Sequence, residues 1–219
     1  MSEFLIENDV ALLRLEAGKA NAVSHDLLDS IDAALDEAAA AAKALVITGR
    51  DGMFSAGFDL QEIGKGQEAA LTLVNRGGAM LNRLFTHPQP VVAACTGHAI
   101  AAGAFMLLAS DTRIGAEGPF RIGLNETAIG MALPVFGLEL AKARLSQRHM
   151  TASVIQARIY SPETAVDAGF LDETRPAEQV LDAALSLAAE LGALPSHAYA
   201  ANKLGMRNAF AEAIRKSLA

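Results

Sequence analysis

The run Val91-Val92-Ala93-Ala94-Cys95-Thr96-Gly97-His98-Ala99-Ile100-Ala101-Ala102-Gly103-Ala104-Phe105 decides the fold. Its first five residues form a continuous apolar stretch, entered through Pro88 and Pro90, that reads as a strand buried on both faces. Gly97 ends it. Residues 101–109 then make a helix that is apolar on nearly all sides, which places it inside the protein. A buried strand, a small-residue loop and an internal helix in direct succession call for a layered α/β protein.

The same units recur on either side. Upstream, Lys43-Ala44-Leu45-Val46-Ile47-Thr48 is a second buried strand, ending at Gly49. Before it, Phe4-Leu5-Ile6 and residues 10–15 read as a hairpin turning at Asn8-Asp9. Ser24 is placed to cap a helix in which Leu27, Leu28, Ile31, Leu35 and Ala38 recur at helical spacing. A further helix is expected over about 68–85, with Leu71, Val74, Leu81 and Leu84 inward. Downstream, Thr112-Arg113-Ile114-Gly115 and Pro119-Phe120-Arg121-Ile122 read as short strands, and helices follow from about Phe136 to the end. Ser161-Pro162-Glu163 starts one of them and Gly169 closes it. Repeating strand-strand-helix units give either a doubly wound sheet or a spiral of stacked turns, and periodicity leaves both open.

Bulk composition bounds the function. The chain has 219 residues, 52% hydrophobic and 20% charged, as a globular protein with a sizeable core requires. Its formal charge of −7 argues against a nucleic-acid partner, and aromatic residues at 5% argue against stacking platforms. No apolar run is long enough to span a bilayer, so no membrane association is expected. Acidic residues at the N-terminus do not suit an export signal. The single cysteine, Cys95, sits within a strand and is expected to be a buried thiol of a cytoplasmic protein.

Several chemistries lack their motifs. There is no Gly-x-Gly-x-x-Gly and no Walker loop. The five histidines show no metal-ligand spacing, so no metal is expected. No Ser-His-acid grouping is evident. Three segments remain. Phe54-Ser55-Ala56-Gly57-Phe58-Asp59-Leu60 follows a buried strand and a glycine turn. The Gly97–Phe105 segment opens an internal helix, whose first N–H groups are unpaired and carry positive partial charge. Two such groups converging on one point would stabilise an oxyanion. The third segment, Phe120-Arg121-Ile122-Gly123-Leu124-Asn125-Glu126-Thr127-Ala128-Ile129-Gly130, holds the only carboxylate between Glu117 and Glu139. Burial among apolar neighbours would raise the pKa of Glu126 and suit it to exchange a proton near neutral pH. A solvent-facing acid at a helix start is the plain alternative.

In this order and spacing the segments resemble the crotonase superfamily, the enoyl-CoA hydratase/isomerase family. The resemblance runs from about Val10 to about Phe170. It includes Lys19-Ala20-Asn21-Ala22, Leu45-Val46-Ile47-Thr48-Gly49, Ser55-Ala56-Gly57-Phe58-Asp59-Leu60, Gly97 to Gly103, Gly123-Leu124-Asn125-Glu126 and Ala165-Val166-Asp167-Ala168-Gly169-Phe170-Leu171. It implies an α/β spiral of strand-strand-helix turns over residues 1–160 and a helical region over 161–219 that serves trimerisation or capping. Assembly would be a homotrimer or a dimer of trimers. The ligand would be an acyl-CoA thioester, with coenzyme A part of the substrate and no separate cofactor. The thioester oxygen would sit between the N–H groups of Ala56 and Ala102. Lys19, Ala20, Ala22, Ser55, Gly57, Phe58, Asp59, Leu60 and Phe105 would lie against CoA or the acyl group. A basic face of Lys203, Arg207, Arg215 and Lys216 would suit phosphate, and Arg76 and Arg83 lie on a helix that lines the acyl pocket in the family. Asp59 and His98 are read as structural.

Phe105 carries the finer expectation. Two-acid hydratases of the family place a glutamate there, whereas the Gly-Leu-Asn-Glu-Thr run resembles the single-glutamate Δ3,Δ2-enoyl-CoA isomerases. The resemblance therefore implies that Glu126 alone moves a proton from C2 to C4 of a 3-enoyl-CoA. A hydratase or other thioester enzyme working through Glu126 alone, and a non-catalytic acyl-CoA binder, are the alternatives.

Overall fold

The computed structural model describes residues 2–218, so the outermost bounds of the two expected regions, residues 1 and 219, lie outside the described residues. Nine strands form two sheets. Strands β1 (Glu3–Glu7), β2 (Val10–Arg14), β3 (Ala44–Thr48), β5 (Val91–Cys95), β7 (Thr112–Ala116) and β9 (Glu173–Arg175) build the larger sheet in the order β1-β2-β3-β5-β7-β9. Only the β1–β2 hairpin is antiparallel; its turn places Asn8 and Asp9 at positive φ. Strands β4 (Gly52–Ser55), β6 (Gly97–Ile100) and β8 (Ile122–Gly123) form a small parallel sheet beside it.

The chain alternates between the sheets. It runs β3 to β4, β5 to β6 and β7 to β8, and a helix returns it to the large sheet each time. The repeat is a spiral of strand-strand-helix turns, which decides between the two architectures that periodicity left open. The first return runs through a short helix α2 (Leu60–Ile63) and a long helix α3 (Gln67–Phe85), the second through α4 (Ala102–Ala109). After β8 come α5 (Val135–Arg144), α6 (Pro162–Ala168), α7 (Val180–Gly192) and α8 (Ser196–Ser217). Helix α1 (His25–Ala41), between β2 and β3, is capped by Ser24, whose hydroxyl accepts from the Leu27 N–H at 3.3 Å.

Strands β2, β3, β5 and β7 of the large sheet are buried on both faces, which is why β3 and β5 read as unbroken apolar runs. Leu13, Leu45, Ile47, Val91, Ala93 and Cys95 face α1, α3 and α4, whereas Leu12, Val46, Val92, Ala94 and Ile114 face Val180, Ala184 and Ala188 of α7. Every residue of α4 is buried. Cys95 is buried as expected, and desolvation pushes its thiol up to about 12.

The structure departs from the expected elements in three places. Strands β4 and β6 occupy segments read as loops, because strands of only four residues that each begin with glycine give too short a pattern to read. The strand expected at 119–122 shrinks to β8, and β9 was not anticipated in the helical third. In α3, Leu73, Gly77, Met80, Leu81, Leu84 and Phe85 are buried, while Leu71 is exposed and Val74 only half-buried. Both of the latter line a cavity, and Val74 also packs against the core.

Helix α8 packs on α3 and α5 of its own chain. Lys203 and Arg207 are buried there, so they do not form the expected basic face for phosphate. Lys203 Nζ lies 2.6 Å from Asp111 Oδ2 and donates to the carbonyls of His87 and Gln89, and Arg207 Nη1 lies 2.8 Å from Asp111 Oδ1. Desolvation brings the Lys203 ammonium down to about 8 despite that partner. Arg215 pairs with Glu212.

Candidate active site

A cavity of about 400 Å³ opens between α2, α3, the start of α4 and the segment that follows β8. Its wall includes Phe58, Leu60, Ile63, Leu71, Val74, Phe105, Ile129 and Met131, and its polar lining is confined to Gln67, Asn125 and Glu126. Of the residues expected at the site, Ala56, Phe58, Leu60, Phe105 and Glu126 line this space.

Glu126 follows the end of β8 and begins a short 3-10 turn over Thr127–Ile129. Only 6% of its surface is exposed. The solvent-facing alternative is therefore excluded. Its Oε2 is buried with no hydrogen-bond partner among the described residues, and the same holds for the neighbouring Asn125 Oδ1. Desolvation raises the Glu126 pKa, as expected for a carboxyl group in an apolar cavity. A buried carboxyl group without a partner costs stability, which is tolerated where function needs it.

The two small-residue loops meet beside this acid. Residues 20–23 run alongside 55–59: the Ala56 N–H donates to Ala20 O at 2.9 Å, Val23 N–H to Gly57 O at 2.8 Å, and Asp59 N–H to Val23 O at 3.1 Å. Asn21 pins this edge from inside. It adopts φ 44°, and its side chain accepts from the Ala17 N–H and donates to Phe54 O. The Ser55 hydroxyl donates to Asn21 O at 2.7 Å and accepts from the Gly57 N–H. The Ala56 N–H is thus already spent, which corrects the expectation that it would hold an oxyanion. The amide of this loop left without a partner among the described residues is that of Phe58. Its ring is fixed against Gly77 of α3, where a β-carbon would come within 2.4 Å of it.

The second free donor is the one expected. Ala102 begins α4, and its N–H has no partner among the described residues, as for any first-turn amide. The two loops touch: a β-carbon built on Gly57, which has φ +106°, would lie 3.6 Å from the Ala102 nitrogen. One on Gly103 would fall 2.2 Å from Ser55 O. Glycine at 103 lets the start of α4 press against the end of β4. Between these glycines Ala101 adopts φ 52° and ψ −119°, a conformation that costs a non-glycine residue on the order of 1–3 kcal/mol.

The remaining expected residues frame the site. Phe105 is 1% exposed, packs edge-to-face on Phe136 with ring centroids 5.6 Å apart, and closes the cavity floor. Asp59 caps α2, its Oδ1 accepting from the Gln61 N–H at 2.9 Å, and His98 Nδ1 accepts from the Arg121 N–H, so both are structural as read. Ala20 and Ala22 lie on the edge beside 55–58, and Lys19 is exposed. Arg76 and Arg83 turn away from the cavity: Arg76 pairs with Asp29, and Arg83 with Asp32 and Asp36 of α1.

A spiral of strand-strand-helix turns thus brings one buried acid and two backbone amides without partners among the described residues to one apolar cavity. The chain matches the enoyl-CoA hydratase/isomerase family over residues 5–219. It is 30% identical to the human mitochondrial enoyl-CoA delta isomerase 1 over 94% of this chain and 72% of that protein. It is also 30% identical to a probable enoyl-CoA hydratase of Bacillus subtilis, over 84% and 73%. The crystal structure of an enoyl-CoA hydratase/isomerase family protein from Pseudomonas syringae superposes with a TM-score of 0.96 at 40% identity, covering 99% of this chain and 94% of that one. The chain belongs to the enoyl-CoA hydratase/isomerase family.

Proposed function

We propose that this protein isomerises enoyl-CoA thioesters, moving a double bond from C3–C4 to C2–C3. The observation that carries the proposal is the lone buried Glu126 facing an apolar cavity whose floor is Phe105. A second acid at Phe105 would be needed to orient a water for addition, and the ring excludes it.

In this reading the thioester oxygen accepts from the Phe58 and Ala102 N–H groups. Ionised Glu126 takes a proton from C2. The C2–H electrons form the C2–C1 double bond of a dienolate, and the negative charge rests on the thioester oxygen between the two donors. Glu126 then returns its proton to C4: the π electrons of the C3–C4 double bond make the new C4–H bond, those of C1–C2 shift to form the C2–C3 double bond, and the oxygen's electron pair restores the thioester carbonyl. Atoms balance with no co-reactant. The raised pKa suits both halves, since the group must release and accept a proton at similar cost. Ala20, Ala22 and Lys19, on the edge beside residues 55–58, are assigned to the CoA portion. Assembly as a homotrimer or a dimer of trimers belongs to the same reading, as the family resemblance implies.

A second reading, water addition through Glu126 alone, draws support from the unpartnered Asn125 Oδ1 beside Glu126 Oε2 and from the hydratase name of one relative. One experiment separates them. The protein is given a 3-enoyl-CoA and, separately, a 2-enoyl-CoA, and products are resolved by mass. The proposal expects a double-bond shift that Glu126→Gln abolishes, with little hydration. Binding without a shift sinks it, and hydration at a comparable rate favours the second reading.

A further inference from the structure

Ala101 combines a glycine's backbone with a side chain. Its φ of 52° lies in the left-handed region that favours glycine. Its N–H donates to Gly123 O at 3.1 Å and its carbonyl accepts from the Phe105 N–H at 3.0 Å. These bonds hold the strained conformation and occupy both backbone polar groups. What Ala101 presents to the cavity it lines is therefore its methyl group. Glycine would make the same two hydrogen bonds without strain, so a role for the methyl is the natural reading of the outlier.

The place of that methyl suggests the role. Gly57 directly precedes the free N–H of Phe58, and Ala101 directly precedes that of Ala102. A β-carbon on Gly57 would stand 3.0 Å from Ala101 Cβ, so the Ala101 methyl fills the slot between the two donor loops. A carbonyl oxygen held by both donors brings its carbon, and the atoms bonded to it, against that slot. In an acyl thioester those atoms are the sulfur and C2, and C2 is the nearest carbon at which an acyl chain can branch.

We propose that Ala101 is a specificity-determining residue whose methyl group excludes acyl thioesters branched at C2. The inference rests on the acyl-thioester reading of the site. A straight chain presents hydrogen at C2 and passes the methyl; a 2-methyl chain needs the volume that Ala101 already fills.

The test uses saturated ligands, which do not turn over, so that it reads recognition apart from catalysis. Binding of octanoyl-CoA and of each epimer of 2-methyloctanoyl-CoA is measured by calorimetry for the wild type, Ala101→Gly and Ala101→Ser. One excluded methyl is worth roughly 10- to 200-fold, so the wild type is expected to favour the straight chain by that factor. Ala101→Gly should bring the ratio to within about threefold of unity, and Ala101→Ser, which keeps the β-carbon, should preserve it. Equal binding of both ligands by the wild type, or the same ratio in Ala101→Gly, overturns the proposal. Failure to bind either ligand overturns it together with the acyl-thioester reading. Discrimination as expected without any double-bond shift on a 3-enoyl-CoA leaves the filter standing and removes only the isomerase.

Discussion

Gly103→Ala tests the close approach on which the site depends. An added β-carbon would stand 2.2 Å from Ser55 O and 2.9 Å from Ser55 C, whereas an ordinary contact begins near 3.4 Å. About 1 Å of separation is needed, and the opposing atoms are backbone, so no side chain can rotate away. Overpacking of a tight core costs about 1–3 kcal/mol, and a clash between backbones belongs at the upper end. Against this, alanine gains about 1 kcal/mol over glycine within a helix. The net loss of about 2 kcal/mol corresponds to a fall in Tm of roughly 4–8 °C for a chain of this size. Activity should suffer more than stability, because the separated atoms carry the two donors: losing one costs about 10²- to 10³-fold in turnover. Urea denaturation and turnover of a 3-enoyl-CoA would be measured side by side. Gly205→Ala is the matched control, since Gly205 lies in α8 with nothing within 4 Å of an added β-carbon. That change should stabilise by about 0.5–1 kcal/mol. A Gly103→Ala protein as stable and as active as the wild type would refute the packing argument and the site built on it.

Four further outcomes follow from the buried charges. Glu126→Gln should lower turnover about 10²- to 10⁴-fold, the usual contribution of a positioned acid–base group, with acyl-CoA binding retained by calorimetry. In the wild type, kcat/KM should rise with pH through the raised pKa of Glu126 and then level, because the ionised form is the base. A raised carboxyl pKa also means that its contribution to stability is complete below the unfolded value and is lost as pH rises through the folded one. Glu126→Gln should therefore be at least as stable as the wild type at neutral pH and should narrow that difference on acidification, read by thermal melts across pH 4–8. Asp111→Asn leaves Lys203 and Arg207 buried without their carboxylate, a change worth about 3–5 kcal/mol, and should lower Tm by roughly 10 °C. An unchanged melt would show that the backbone carbonyls alone hold α8 in place.

The layers of the fold were legible wherever burial decides the residue pattern. Strands β3 and β5 are apolar on both faces because the large sheet is covered on both, and α4 is apolar all round because it is internal. Strands β4, β6 and β8 were not legible as such. They are two to four residues long, include glycines, and exist because neighbouring turns of the spiral stack them. Leu71 and Val74 show the same limit from the other side. An apolar stripe on α3 reads as core, and only the packed structure reveals that part of it lines a cavity.

Glu126 and Phe105 at the cavity and the free amide of Ala102 could be picked out from their segments, but the other free amide could not, and Ala56 and Phe58 show why. In an extended segment amides two residues apart point the same way; Gly57, at φ +106°, breaks that alternation between Ala56 and Phe58, and their availability then depends on which edge the segment pairs with. The partner here is residues 20–23, which take the Ala56 and Asp59 N–H groups and leave that of Phe58. Nothing in Ser55-Ala56-Gly57-Phe58-Asp59 itself encodes that register. It is set elsewhere: by Asn21 in its left-handed conformation, which holds residues 20–23 against the end of β4 through its own side chain. The pair of free amides is consequently a property of three segments, and Asn21, which does not line the cavity, decides which amide of the first loop is left without a partner.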